Sequence, residues 1–149
     1  MDCRTLGLKG GSGEIALPGA SDVNTAAALY WGFFGTTLYA AVDIFWGKDG
    51  LLPYWTVPLG PLSTFMARMF GAAMTALAAA HLDESIKTSK TMSKVNGLLA
   101  TLMIPLFLQN WKDTANFGAT FFGTGLNIWA VQMAVHLPLT ALCLNAGFN

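Results

Sequence analysis

Asp43 and Arg68 are the residues whose chemistry is hardest to reconcile with their surroundings, because each stands inside an apolar stretch. A charge at the centre of a bilayer costs roughly 2.5–3.5 kcal/mol on the most lenient scale. Asp43 falls near the end of the first apolar stretch. Arg68 falls about two turns into the second, on the same side of a membrane, so its long side chain can reach back to the carboxylate. The expected outcome is a structural pair that locks the two helices. The alternative chemistry is a proton or ion relay, or an anion site around Arg68, and it needs further acids in the membrane.

His81 and His136 form the second constellation. A neutral imidazole can ligate haem iron or the magnesium of a chlorophyll. Gln132 precedes His136 by one helical turn, shares its face, and offers a carbonyl to magnesium. His81, Gln132 and His136 are therefore candidate chlorophyll ligands. The competing reading makes His81 an interfacial residue at a helix end and His136 a hydrogen-bonded residue inside a bundle. His81 lies nearly opposite Arg68 on its helix, beside Met74 and Leu77, and is expected to point away from the contact between the first two helices. Asn127 and Gln132 are expected to act as interhelical hydrogen-bond donors and acceptors. Cys3 and Cys143 are expected to be free thiols, since two cysteines make neither a zinc site nor a disulfide framework.

No catalytic, nucleotide-binding or metal-binding motif accompanies these residues. Hydrophobic residues make up 54% of the 149 and charged residues 11%, against about 25% charged in soluble domains. The formal net charge is zero, so no basic field attracts nucleic acid. That composition selects a small membrane bundle.

The elements that must carry these side chains are four apolar stretches, near residues 25–46, 61–82, 93–111 and 117–144. About 20 residues at 1.5 Å each cross a hydrocarbon core, and backbone amides in lipid must bond within their own segment. The fold class is therefore all-α: an integral membrane bundle of four transmembrane helices, residues 25–149, behind an extended polar N-terminal tail, residues 1–24. The tail lacks the apolar core of a signal peptide, so import through the first helix or loss of a targeting segment is expected. Asp22 or Asn24 can cap the first helix, and Pro61 suits the first turn of the second. Lys112-Asp113-Thr114 reads as a very short third loop, which makes the last two helices antiparallel neighbours. Pro105 and Pro138 are expected to kink their helices.

Small residues let helices approach in lipid. Gly32, Thr36, Tyr39 and Asp43 should face Thr64, Arg68, Ala72, Thr75 and Ala79. Ala119 with Gly123, and Ala130 with Ala134, give similar spacing in the last stretch. Four crossings put both termini beside Arg4, Lys9, Lys87, Lys90 and Lys94, on the cytoplasmic, stromal or matrix side. Trp46, Tyr54, Trp55 and Trp111 gather on the other side as an interfacial belt. Phe33-Phe34-Gly35-Thr36 and Phe121-Phe122-Gly123-Thr124 echo each other, as common membrane residues do by chance.

The functional expectation is a small, non-catalytic accessory subunit of a large energy-transducing membrane complex. A photosystem in the thylakoid comes first, with chlorophyll and bound lipid or carotenoid as cofactors and no nucleotide. A respiratory complex in the mitochondrial inner membrane comes second, and a stand-alone carrier or membrane enzyme using Asp43 and Arg68 third. Partners are other membrane subunits and lipids, with no nucleic acid. The antenna signature, a Glu of one helix paired with an Arg of another, is absent.

Overall fold

In a computed structural model, residues 17–118, 120–121 and 124–149 are described. Most of the expected tail, with Cys3, Arg4 and Lys9, lies outside the described residues, as do Ala119, Phe122 and Gly123 with the helix pairing and sequence echo that involve them.

The chain is all-helical, with α1 at Ala20–Ala40, α2 at Val42–Phe45, α3 at Pro61–Ala80, α4 at Glu84–Lys87, α5 at Lys90–Lys112 and α6 at Ile128–Phe148. Among the described residues three helices, α3, α5 and α6, are long and apolar enough to cross a membrane. Leu62, Phe65, Met66 and Met69 of α3 lie exposed, as an apolar solvent permits.

Helix boundaries differ from the sequence reading at both ends of the chain. The first helix begins five residues early, with Gly19 as its N-cap and Asp22 inside the first turn, where a carboxylate favours the positive end of the helix dipole. It stops at Ala40, because Ala41 leaves helical geometry (φ −144°, ψ 39°) before α2. The last helix begins eleven residues late. Gly118 and Gly125 adopt positive φ, which only glycine takes without strain, and Asn127 then caps α6 by accepting from Trp129 N at 2.8 Å. Asn127 is therefore a helix cap and not an interhelical bridge. The expected very short third loop is consequently long. It meets the first loop through the Trp55–Phe117 bridge and the Thr56 N to Asn116 O bond of 3.0 Å. Pro61 does open α3, and α5 and α6 run through Pro105 and Pro138.

α1 is the hub. It packs on α3, α5 and α6, while α5 and α6 pair with each other and α3 makes no substantial contact with either. The α1–α3 crossing runs through Gly35 and Gly71. A methyl at Gly35 would lie 2.6 Å from Thr75 N, and one at Gly71 would lie 2.6 Å from Tyr39 N. The expected faces are rotated: Thr36, Arg68, Ala72 and Ala79 are exposed, whereas Gly35, Gly71 and Met74 are buried. Two glycines permit the closer approach, and that rotation keeps Arg68 out of the interior.

Candidate functional site: two buried polar networks and an aromatic cavity

The first network occupies the end of the bundle where α1 begins and α3 ends. Asn24 donates both amide hydrogens, to Lys87 O at 2.8 Å and Ser89 O at 3.0 Å. Its Oδ1 accepts from Ser93 Oγ at 3.0 Å and Asn96 Nδ2 at 3.1 Å. Asn96 Oδ1 accepts from Trp31 Nε1 at 3.2 Å, and its amide also donates to His81 Nε2 at 2.9 Å. An indole N–H only donates, so it fixes the orientation of the Asn96 amide. His81 Nδ1 then carries the ring hydrogen and donates to Leu77 O at 2.7 Å. Asn24, Trp31, Ser93 and Asn96 are 0% exposed and His81 is 4% exposed. The spacing Ser93, Asn96, Gly97, Ala100 is one helical stripe, all buried, so one face of α5 turns its polar groups inward.

The second network takes Tyr30 from α1, about 9 Å along the helix from Asn24. Tyr54 donates to Gln132 Oε1 at 2.6 Å. Gln132 donates to the Tyr30 hydroxyl, and Tyr30 donates to His136 Nδ1 at 2.8 Å. His136 Nε2 donates to the Ala100 carbonyl at 2.8 Å. The direction of every bond follows from that last acceptor, because a carbonyl cannot donate. The chain ends on a backbone oxygen, and it fastens α1, the first loop, α5 and α6 together.

The sequence-derived site residues separate accordingly. Gln132 and His136 come together as their spacing requires. His81 is buried against Asn96 rather than turned outward. Both nitrogens of each histidine are engaged, so ligation of a tetrapyrrole would have to displace a bond already made. Asp43 and Arg68 are both exposed, and among the described residues Lys87–Glu84, at 3.4 Å, is the ion pair present. The locking pair is thus not formed. In its place glycine packing joins α1 to α3, and Arg68 stands outside, about 10 Å along the helix from its start. Among the described residues no group of three or more His, Cys, Asp or Glu is placed to hold a metal ion.

No protein-family model, curated protein or solved structure matches the chain. Its chemistry has to be read from its own residues.

Beside the second network lies a cavity of about 170 Å³. Tyr30, Phe34 and Leu38 of α1, Ala67, Phe70 and Met74 of α3, and Met103 and Phe107 of α5 form its sides, and Trp46, Tyr54 and Trp55 come from the first loop. Trp46 and Tyr54 are therefore buried, at 2% and 6% exposure, and do not belong to an interfacial belt. Trp46 stacks on Phe34 with centroids 5.0 Å apart, and its Nε1 donates to Thr37 Oγ1 at 3.1 Å. Trp129 also lines the cavity, and its Nε1 is a buried donor with no partner among the described residues. Leaving such a group unpaired costs about 1–3 kcal/mol. The sequence reading passed over Asn96, Tyr30 and Trp129. The inward stripe of α5 was the available signal for Asn96, and no local pattern marks the other two.

Proposed function

We propose that this chain is a small, non-catalytic accessory subunit that crosses the membrane four times and holds neighbouring subunits in a larger assembly. α1 is the fourth crossing in this reading: its 21 residues span about 31 Å, and all three apolar helices are arranged around it. The observation that carries the reading is the division of labour between inside and outside. Buried Asn24, His81, Ser93, Asn96, Gln132 and His136 are bonded to one another, to Tyr30 and Tyr54, or to backbone, which fixes one arrangement of helices. The outer face of α3 is left open and, Arg68 and Ser63 apart, apolar, with only Gly71 and Met74 buried in that helix.

Energy-transducing complexes remain the proposed setting, with a photosystem-type assembly as the finer reading and a respiratory complex as its alternative. Pigment contacts in that setting would come from the aromatic surface, since the histidine nitrogens are already bonded. The test is gentle solubilisation from the native membrane, followed by particle size and absorption spectrum. A large particle with red chlorophyll bands supports the photosystem reading, and a large colourless one the respiratory reading. A chain that travels alone in its detergent micelle overturns the accessory role.

A further inference from the structure

We propose that the groove between α1, the end of α3 and α4 holds a phospholipid whose headgroup is zwitterionic and carries a primary ammonium, as phosphatidylethanolamine does. The inference requires that α3 crosses the membrane, for which it is long and apolar enough, and does not depend on the accessory role.

The groove lies where α1 and α3 begin to part. A methyl built at Gly32 would lie 3.5 Å from Ala78 Cβ, an ordinary contact. One helical turn before Gly32, the small side chain of Ala28 borders a groove of about 380 Å³, within the range of about 300–1,000 Å³ typical of ligand clefts. Ala28, Leu29, Ala78 and Leu82 give it apolar walls, and Leu29 and Leu82 are exposed, so an acyl chain has side chains to cover. Thr25, Glu84 and Lys87 supply polar lining. His81 also lines it, but both its ring nitrogens are engaged elsewhere. α3 ends at Ala80, which sets this mixed lining at headgroup depth. Asn24 donates to Lys87 O at 2.8 Å and so anchors the backbone that carries Lys87 to α1.

The charges select the headgroup. Lys87 Nζ stands 3.4 Å from Glu84 Oε2, with the two side chains 33% and 74% exposed. A tight ammonium–carboxylate bond measures about 2.7–2.9 Å, so each charge is open to a further partner and within reach of one. Thr25 Oγ1 donates to Ser21 O and keeps lone pairs to accept with. The side chains thus offer a cationic donor together with two acceptors. A phosphate oxygen satisfies Lys87, and an ammonium with several N–H groups satisfies Glu84 and Thr25. A phosphatidylglycerol would bring its phosphate beside Glu84 and no cation to answer the carboxylate. A choline head has no N–H to donate. The apolar walls favour the lipid over free phosphoethanolamine.

The full chain, in a neutral maltoside detergent, is incubated with equimolar phosphatidylethanolamine, phosphatidylcholine and phosphatidylglycerol of identical acyl chains, and retained lipid is read by native mass spectrometry. The native chain should keep the ethanolamine lipid in about fivefold preference over each of the others. Glu84→Gln should turn the preference toward phosphatidylglycerol, because a cation remains without its acid. Lys87→Gln should lower ethanolamine-lipid retention about fivefold. Exchanging the charges, Glu84→Lys with Lys87→Glu, should keep the ethanolamine lipid. Ala28→Phe, which fills the groove, should abolish retention. If Ala28→Phe fails to fold, the charge variants still decide. Equal retention of the three heads, a native preference for phosphatidylglycerol or phosphatidylcholine, or a preference untouched by Glu84→Gln overturns the proposal. Free phosphoethanolamine that displaces the lipid at equal concentration also overturns it, since the apolar walls would then have no part.

Discussion

Replacing Asn96 by leucine tests the claim that buried amides hold this bundle together. Asn96 makes three side-chain bonds, to Trp31, Asn24 and His81. Leucine has the same branching at Cγ and is somewhat larger, so the change removes polarity without opening a void and adds some overpacking to the loss. Asn24 Oδ1 keeps Ser93. Trp31 Nε1 and His81 Nε2 lose their partners outright. Two orphaned groups at about 1–3 kcal/mol each give about 2–6 kcal/mol of destabilisation. A lower bound comes from interhelical bonds in lipid, which average about 0.6 kcal/mol because the unfolded helices also find partners. Three such bonds give about 2 kcal/mol. The assay is equilibrium unfolding in mixed micelles, repeated with Trp31→Phe and with the double variant. Trp31→Phe removes the orphaned donor, so the double variant should be less destabilised than the two single changes summed. A loss below about 1 kcal/mol for Asn96→Leu, or strict additivity, would refute the reasoning.

The remaining predictions concern the helix crossing, the separated charges and the α4 cap. Gly71→Ala places a methyl 2.6 Å from Tyr39 N and 2.8 Å from Gly35 O, so α1 and α3 must part and stability should fall by about 1–3 kcal/mol; exposed Ala72→Leu should stay within about 0.5 kcal/mol, and equal effects would show that this crossing is wrong. Asp43→Asn and Arg68→Met should be additive to within about 0.3–0.5 kcal/mol in the same unfolding assay, and a coupling above about 1 kcal/mol would restore the ion pair. Asp83 accepts from Ser85 N at 2.8 Å and from Ser85 Oγ, bonds that hold its carboxyl below the usual aspartate range. Its stabilisation of the α4 cap is complete above about pH 3.9 and is lost as pH falls through the lower folded value. A carboxyl ¹³C titration should show a midpoint below 3.9 that rises in Ser85→Ala, and an unchanged midpoint would remove the cap's role.

Much of the architecture was legible because apolar length and proline position are local properties. Pro61 opens its helix and Gln132 and His136 share a face, as spacing alone requires; α5 and α6 are neighbours as expected, although the short loop that suggested it is a long one. What failed to read locally was rotation and partner choice. Arg68 and His81 sit on opposite sides of α3, and either side gives a plausible stripe. The glycine contact at Gly71 selects the one that buries His81. The late start of α6 was hidden because residues 117–127 carry no charged side chain, while the break depends on the backbone turns at Gly118 and Gly125 and on the Asn127 cap.

The sequence by itself determined the class of the protein: with 11% charged residues and stretches of helix-length apolar sequence, helices exposing apolar faces are the economical way to satisfy the backbone in lipid. Only the tertiary structure decided where the polar side chains spend their hydrogen bonds. Asn24 and Asn96 are 72 positions apart in the chain, and Tyr30 and His136 are 106 apart. Hydrogen bonds are short and directional, so no pattern along one helix can say which donor on another will stand 3 Å away. The same holds for Trp129: that its indole N–H has no partner among the described residues is a property of the assembled walls around it, and absent from any stretch of residues read alone.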